Sequence, residues 1–213
     1  MLDLILIPLA GYLLGSISGS LVIGRFRGFD IRAMGSGNAG GTNALRSVGW
    51  KFALAVILID LGKGAVAAGL LPFFGPWLSA TPAPSVTLGA LAGFACVLGH
   101  VWPIYFRFRG GKGAGTAVGA IAVLAPWCVA PLLLVWVIVL VGTGYVGLAT
   151  VLAGLSLVPA MWLLGPDPLP PALGALAISL ATLLIFTHRS NLARLRHGTE
   201  NRFEKARLLK RGK

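Results

Sequence analysis

The sequence of 213 residues is poor in charge, and poorest in negative charge. Only 11% of its residues are charged, and 6 Asp and Glu stand against 18 Lys and Arg; soluble domains carry about a quarter charged residues. So few charges cannot cover a water-facing surface, which excludes a soluble enzyme, a disordered tail and a disulfide-rich secreted scaffold. With 56% hydrophobic residues and a mean hydropathy of +0.86, the chain is predicted to be an integral membrane protein.

Cysteine and metal ligands are also scarce. Cys96 and Cys128 lie in apolar runs and outside any Cys-x-x-Cys pattern, which favours inert buried thiols. The three histidines lie in different segments, and carboxylates are few. We therefore predict no metal and no cofactor.

The net charge of +12 is compatible with nucleic acid, anionic lipid or anionic substrates as partners. The basic C-terminal tail is short and lacks the interleaved aromatic residues on which bases stack. Nucleic acid is therefore not predicted as a partner, and membrane lipid and anionic substrates remain.

Apolar runs indicate the membrane spans. They cover residues 2–24, 51–73, 85–106, 114–142, 145–164 and 171–187. The run 114–142 is too long for one comfortable helix, since about 20 apolar residues span a bilayer. Pro126 breaks it into a short helix, 114–125, and a second helix, 126–142. The result is seven transmembrane helices; the alternative is six spans with a re-entrant 114–125 segment.

Basic residues set the orientation. Three groups, in residues 25–51, 107–112 and 189–213, hold five, three and nine of the 18 Lys and Arg. The positive-inside rule places all three in the cytoplasm. We therefore predict an all-α, polytopic integral membrane helix bundle with the N-terminus out and the C-terminus in. It forms a single domain, 1–213, with cytoplasmic loops 25–50 and 104–113 and a basic cytoplasmic tail, 188–213.

The first basic segment is rich in glycine and small polar residues. It reads Gly35-Ser36-Gly37-Asn38-Ala39-Gly40-Gly41-Thr42-Asn43. Glycine lets the backbone approach a ligand, and consecutive N–H groups can hold an anion. The segment also matches the G-x-G-x-x-G dinucleotide pattern, but a helical membrane protein lacks the βαβ unit which that pattern requires. An ordinary glycine-rich loop is the alternative.

The second segment contains Gly110-Gly111-Lys112-Gly113 immediately before a predicted helix. It lacks the spacing of a Walker A loop. A lysine between glycines at a helix N-terminus is nevertheless typical of phosphate binding. The alternative is a topogenic anchor, which suits Arg107 and Arg109 better than it suits Lys112.

The third segment follows the last apolar run. His188, Asn191 and Arg194 share one helix face by their three-residue spacing. The other basic residues of the tail are predicted to meet anionic lipid headgroups: Arg202, Lys205, Arg207, Lys210, Arg211 and Lys213.

One ionisable pair, Asp60 and Lys63, lies inside a span. Ionisable groups at that depth are costly and often functional. The sequence leaves open whether this pair locks helix packing or acts in a site.

Together the segments resemble one family, the acyl-phosphate-dependent glycerol-3-phosphate acyltransferases of bacterial membranes (the PlsY type). That family carries GSGN-x-GxTN, GH-xx-P…GGKG and HR-x-N…G-x-E segments, which correspond here to 35–43, 99–113 and 188–200. A D-xx-KG pattern matches at 60–64. Gly41 stands where alanine is usual, and Arg107 and Arg109 where lysine is frequent.

The resemblance implies transfer of a fatty acyl group from acyl phosphate to the 1-hydroxyl of sn-glycerol 3-phosphate, giving lysophosphatidic acid and phosphate. It implies the bacterial cytoplasmic (inner) membrane, with the active site facing the cytoplasm. The candidate catalytic residues are His188, Asn191, Lys112 and Ser36. The candidate substrate-binding residues are Gly35, Gly37, Asn38, Gly40, Thr42, Asn43, Arg46, His100, Gly110, Gly111, Gly113, Thr116, Arg189 and Arg194. His188 could be a general base, or a phosphate oxygen could take the proton.

Two other functional classes fit the sequence less well. A small transporter for an organic phosphate or anion is favoured by the Asp60–Lys63 pair and the glycine-rich helices, but the other polar clusters lie on one predicted face. The acyltransferases with an NH-x4-D box are excluded, since no histidine here has an aspartate five residues later.

Overall fold

The computed structural model describes residues 1–203. Within this range the secondary structure consists of helices and turns, with no β-strand. Contacts divide the chain into two compact units, Met1–Leu124 and Ala125–Lys213. The first holds α1 (Asp3–Gly15), α2 (Gly19–Phe26), α3 (Gly41–Ser47), α4 (Trp50–Gly69), α5 (Gly75–Leu78), α6 (Ser85–Val101) and α7 (Ala114–Leu124). The second holds α8 (Val129–Thr143), α9 (Val146–Leu164), α10 (Pro171–Thr187) and α11 (Arg189–Arg196).

Membrane-length helices confirm the all-α, multi-pass prediction. Four helical segments are long and apolar enough to span a bilayer, and two bent helix pairs raise the number to six. Helix α7 is apolar but shorter. The predicted break near Pro126 is confirmed, since α7 ends at Leu124 and a 3-10 turn covers Pro126–Cys128. Whether α7 crosses the membrane, which would make seven spans, stays a prediction.

The first apolar run, predicted as one continuous helix over 2–24, is broken. Helix α1 ends at Gly15, α2 begins at Gly19, and the two are bent by 46°. The break is stabilised from another helix, because the Lys63 ammonium on α4 donates to the carbonyls of Gly15 (2.8 Å) and Ile17 (3.0 Å). Carbonyls that a continuous helix would have bonded internally are thus satisfied in an apolar interior.

Glycines let the helices of the first unit touch backbone to backbone. A Cβ on Gly15 of α1 would overlap the carbonyl oxygen of Cys96 on α6, and a Cβ on Gly99 would overlap that of Tyr12. The same kind of contact joins α4 to α7. Small residues at such crossings are the usual way in which membrane helices approach closely.

The second unit packs α9 between α8 and α10. Leu184 of α10 lies against Gly154 of α9, where a Cβ would meet its side chain. The indole of Trp136 on α8 donates to the hydroxyl of Thr150 on α9 at 3.2 Å. Leu157, Met161 and the inner face of α10 form a core from which solvent is excluded.

Two glycines of α4 provide a matched test of the backbone contact between α4 and α7. A Cβ on Gly64 would overlap the carbonyl of Thr116 on α7, whereas a Cβ on Gly62 would meet nothing within 4 Å. We expect Gly64→Ala to destabilise by about 1–3 kcal/mol through overpacking. Gly62→Ala should be neutral or stabilising by up to about 1 kcal/mol, since alanine favours helix. Thermal unfolding in detergent measures both; equal losses would contradict the proposed α4–α7 contact.

Candidate active site

The Gly35–Asn43 segment is organised by the side chain of Asn43. Its carbonyl oxygen accepts the Ser36 N–H at 2.9 Å. Its amide group donates to the backbone carbonyls of Ile31 (3.2 Å), Met34 (3.0 Å) and Asn38 (3.0 Å). Asn43 is only 2% exposed. It was predicted to bind substrate, but with its amide engaged inside the loop we expect it to act on a ligand through the loop backbone.

The other predicted residues of this segment are open to the surface. Gly35, Ser36, Gly37 and the nearby Arg46 on α3 are exposed, and the half-buried ones are Asn38, Gly40 and Thr42. The segment therefore presents backbone and small polar groups to the outside around a rigid centre.

The Gly110–Gly113 segment leads directly into α7. The N–H groups of Gly110 and Gly111 donate to the carbonyls of Val101 and His100, both at 3.1 Å. Gly113 has φ +89°, a conformation that only glycine adopts readily. The half-buried Lys112 precedes the first helical residue, Ala114, by two positions. The predicted arrangement of a lysine beside a helix N-terminus is thus present.

Thr116 lies in the first turn of α7 and is 0% exposed. Its hydroxyl oxygen has no hydrogen-bond partner among the described residues. Thr116 was predicted to bind substrate. Because it is buried, it can contact a substrate directly only if the ligand reaches into the first turn of α7.

The two glycine-rich segments meet at Gly111. A Cβ on Gly111 would overlap the Nε2 atom of His100 and lie 2.9 Å from the carbonyl oxygen of Ala39. Any side chain at Gly111 would therefore push the segments apart. His100 lies beneath this junction and is 3% exposed.

Arg32 joins the same two regions and was not among the predicted site residues. Its Nη1 donates to the carbonyls of Phe106 (3.2 Å) and Arg109 (2.9 Å). Between those carbonyls, Arg107 and Phe108 both have φ +57°, which is strained for residues with a Cβ. The guanidinium thus holds both ends of a strained turn immediately before Gly110.

Asp30 fixes Arg32 in place. Its carboxylate accepts from the Arg32 Nη2 at 2.7 Å and Nε at 3.0 Å. These side-chain hydrogen bonds lower the pKa of Asp30 and raise the pKa of Arg32, while desolvation opposes both shifts. Both groups are therefore charged at neutral pH. The Asp30-x-Arg32 spacing was the sequence signal for this pair, but nothing in it pointed to residues 106–109.

A buried ionic cluster lies below the junction. The Lys63 Nζ is 3.1 Å from the Asp60 Oδ1 and 2.9 Å from the His100 Nδ1, and that Nδ1 is 3.3 Å from the same carboxylate oxygen. All three residues are at most 5% exposed. Through these contacts the Asp60–Lys63 pair joins α4 to α6 and to the α1–α2 break. His100, predicted to bind substrate, has its Nδ1 engaged in this cluster.

The third predicted segment lies in the second unit. His188 is 5% exposed, and its Nδ1 lies 2.9 Å from the Leu184 carbonyl oxygen. A carbonyl can only accept, so this nitrogen carries the proton and a neutral His188 has its lone pair on Nε2.

Glu200 connects the other residues of this segment. It accepts from the Asn191 Nδ2 at 2.6 Å and from the Arg194 Nε at 2.7 Å, and its side chain is 6% exposed. Glu200 was not among the predicted site residues, although it is one of only two acids in the basic tail.

Two arginines contact their own unit. The predicted substrate residue Arg189 donates to the Phe186 carbonyl at 2.9 Å. Arg202, predicted to meet lipid headgroups, donates to the Tyr145 hydroxyl at 2.7 Å. The other residues of that prediction, in 204–213, lie outside the described residues.

Within residues 1–203, no group of three or more His, Cys, Asp or Glu side chains could hold a metal ion. Residues 1–203 carry their glycine-rich basic segments at helix ends. Fold and site together define a polytopic helical membrane protein with loops of the kind that bind anions.

The family follows from comparison with known proteins. The family model "Glycerol-3-phosphate acyltransferase" matches residues 5–198. A glycerol-3-phosphate acyltransferase of Shouchella clausii is 42% identical over 205 residues, covering 95% of this chain and 97% of that protein. One of Salinibacter ruber is 39% identical over 231 residues, covering 100% and 99%. The chain belongs to the glycerol-3-phosphate acyltransferase family and is an acyltransferase, as the motifs predicted.

Solved structures agree with this. A crystal structure of PlsY (YgiH), an integral membrane glycerol 3-phosphate acyltransferase, in its glycerol 3-phosphate form, has a TM-score of 0.80 at 34% identity and covers 94% of this chain and 95% of that one. The lysphosphatidic acid form of PlsY has a TM-score of 0.79 at 32% identity, covering 95% and 97%.

The buried pair can be tested by removing each partner. Lys63→Met leaves the Asp60 carboxylate and the carbonyls of Gly15 and Ile17 without their cation, so we expect a loss of about 3–5 kcal/mol. Asp60→Asn leaves the ammonium with two carbonyl acceptors and should cost less. Thermal unfolding of both variants in the same detergent gives the comparison. A larger loss for Asp60→Asn would mean that the helix break does not depend on Lys63.

Proposed function

We propose that the enzyme transfers a fatty acyl group from acyl phosphate to the 1-hydroxyl of sn-glycerol 3-phosphate. The products are lysophosphatidic acid and phosphate, and the reaction is the first acylation of phospholipid synthesis. The observation that carries this proposal is the junction at Gly111, where two glycine-rich segments meet beside Lys112 and the N-terminus of α7. The ligand states of the PlsY structures, with glycerol 3-phosphate and lysophosphatidic acid, support this substrate and this product.

The chemistry suits such a junction because both substrates carry a phosphate. Lys112 and Arg46 supply positive charge for two anions. N–H donors come from the first turn of α7 and from the backbone of 38–41, since the Ser36 and Gly37 N–H groups are bonded within the loop. Ser36, Asn38 and Thr42 supply small polar groups that orient them, and a long acyl chain can extend into lipid beside the helices. Acyl phosphate is already activated, so the protein contributes mainly positioning and charge stabilisation.

The proposed reaction is a single acyl transfer. The oxygen of the 1-hydroxyl attacks the carbonyl carbon, a new ester C–O bond forms, and the C–O bond to phosphate breaks with its electron pair leaving on phosphate. The proton of the attacking hydroxyl passes to an oxygen of the departing phosphate, so that all atoms and charges are accounted for. In the second unit Glu200 holds Asn191 and Arg194. The catalytic roles of His188 and Asn191, and the substrate contacts of Arg189 and Arg194, stay predictions.

We also propose the orientation given by the basic residues. Seven helices, including α7, cross the bacterial inner membrane, with the N-terminus outside and the C-terminus and active site in the cytoplasm. This is supported by the basic residues, which follow α2, lie in the turn after α6 and lie on α11.

The contacts of Lys63 count against the transporter alternative, whose main support in the sequence is the Asp60–Lys63 pair. Lys63 donates to the Gly15 and Ile17 carbonyls and pairs with Asp60, so its ammonium is held in place between helices. A charge that must stay in place to hold a helix break is poorly suited to carry a substrate.

Lys112 provides the test of the phosphate-binding role. Lys112→Ala should lower acyl transfer at least about 10²-fold, since one lost electrostatic stabiliser costs that much or more. Lys112→Arg should retain only part of the parent activity, because a planar guanidinium replaces a compact ammonium between glycines. The assay is glycerol 3-phosphate-dependent release of phosphate from acyl phosphate in detergent micelles.

The matched control is Arg25→Ala, which removes an exposed basic residue at the end of α2. It should leave turnover near that of the parent enzyme. If Lys112→Ala turned over as fast as Arg25→Ala, the segment 110–113 would be a topogenic anchor only.

Topology is tested with single cysteines, because both native cysteines are buried. Ala33→Cys, Ser85→Cys, Pro126→Cys and Ser190→Cys introduce thiols at exposed positions. An impermeant thiol reagent added to intact cells should label positions 85 and 126 but reach 33 and 190 only after permeabilisation. Labelling of 33 and 190 from outside would reverse the proposed orientation, and protection of 126 would favour six spans.

A further inference from the structure

We propose that Asp60, Lys63 and His100 act together as a positioning cluster for the Gly110–Gly113 segment. This rests on the proposed function, since it assigns positioning residues to the segment that holds phosphate there. The three side chains come from two helices, α4 and α6, and are buried below the junction of the glycine-rich segments. None of them needs to touch substrate to affect it.

The ammonium of Lys63 fixes the His100 ring. It has three protons, and the Gly15 and Ile17 carbonyls accept two of them. The third is directed towards His100 Nδ1, at 2.9 Å, and Asp60 Oδ1, at 3.1 Å. The His100 Nδ1 also lies 3.3 Å from the same Asp60 oxygen, so this edge of the ring is held by the ammonium and the carboxylate together.

The opposite edge of the ring supports Gly111. Among the described residues, the polar contacts of the His100 ring are all made by Nδ1. The Nε2 atom lies on the opposite side of the ring and faces the junction. There it lies against Gly111, at the place where the Ala39 carbonyl also approaches. The His100 backbone carbonyl accepts the Gly111 N–H at 3.1 Å. One residue thus holds Gly111 from both its ring and its main chain.

Close packing carries the effect to Lys112. Gly111 has no side chain that could yield, and the ring lies in contact with its Cα position, so a tilt of the ring must shift the backbone next to Lys112. A backbone shift of about 1 Å is enough to misplace groups that must contact a phosphate. The Asp60–Lys63 pair keeps the ring from tilting, because the ammonium is itself held by α1 carbonyls.

A double-mutant cycle tests the proposal with inorganic phosphate as the probe. His100→Gln keeps an amide nitrogen near the Nε2 position but loses the ring nitrogen that contacts Lys63 and Asp60. It should weaken phosphate binding at least about tenfold when Lys112 is present and less than about twofold in a Lys112→Ala background, since coupled residues are not additive. Isothermal titration calorimetry of the full chain in detergent micelles gives the four affinities. Equal losses in both backgrounds would overturn the proposal.

Hydrogen exchange provides a second readout that a purely structural role would not produce. The N–H groups of Gly110 and Gly111 should exchange faster in His100→Gln than in the parent. The control is Asp3→Asn, which removes a buried carboxylate that accepts the Ala83 N–H at 2.7 Å, far from the junction in sequence. It should lower the unfolding temperature yet leave phosphate affinity and the exchange of both amides unchanged.

Asp60→Asn is taken through the same measurements, so that either variant can decide if the other does not fold. Unchanged exchange at both glycines, with a lowered unfolding temperature, would reduce the cluster to packing. The exchange result decides even where phosphate binding is too weak for calorimetry. If coupling is found but the parent enzyme transfers no acyl group, the positioning role stands and the proposed function fails.

Discussion

The buried ammonium of Lys63 is the interaction on which the first unit depends. A charge in an apolar interior is stable only when every proton has an acceptor, and Lys63 finds its acceptors on α1, on its own helix and on α6. Because it satisfies the carbonyls at Gly15 and Ile17, the first apolar run can bend. The same ammonium orients the ring that supports Gly111, so one cation links a helix break to the glycine-rich segments.

Close backbone approach is the second constraint. Glycine at the α1–α6 and α4–α7 crossings removes the side chains that would hold helices apart, which leaves little freedom for them to slide. Loops that leave such helices inherit fixed end points. The Asn43 side chain and the Arg32 guanidinium then fix the loops internally, so that exposed residues such as Ser36 and Arg46 lie on a rigid base. An enzyme that stabilises charge by preorganised groups requires such a base.

Much of this could be predicted from the sequence, and the omissions have one cause. Apolar runs located the long helices, Pro126 located a break, and the glycine-rich motifs identified the family. The break after Gly15 could not be predicted, because it depends on Lys63, 48 residues away. The same holds for the contacts of Arg32 with residues 106–109 and of Glu200 with Asn191. Local patterns predict helices and loops, whereas a polar side chain's partner is set by tertiary packing.

The central claim, acyl transfer to glycerol 3-phosphate, is tested most directly by product stoichiometry. The purified protein, reconstituted in sealed vesicles, is given acyl phosphate and glycerol 3-phosphate, and lysophosphatidic acid and phosphate are quantified by mass spectrometry and colorimetry. The account predicts one 1-acyl lysophosphatidic acid for each phosphate released, with no release when glycerol 3-phosphate is omitted. Movement of glycerol 3-phosphate into the vesicles without lysophosphatidic acid, or phosphate release without acceptor, would contradict it.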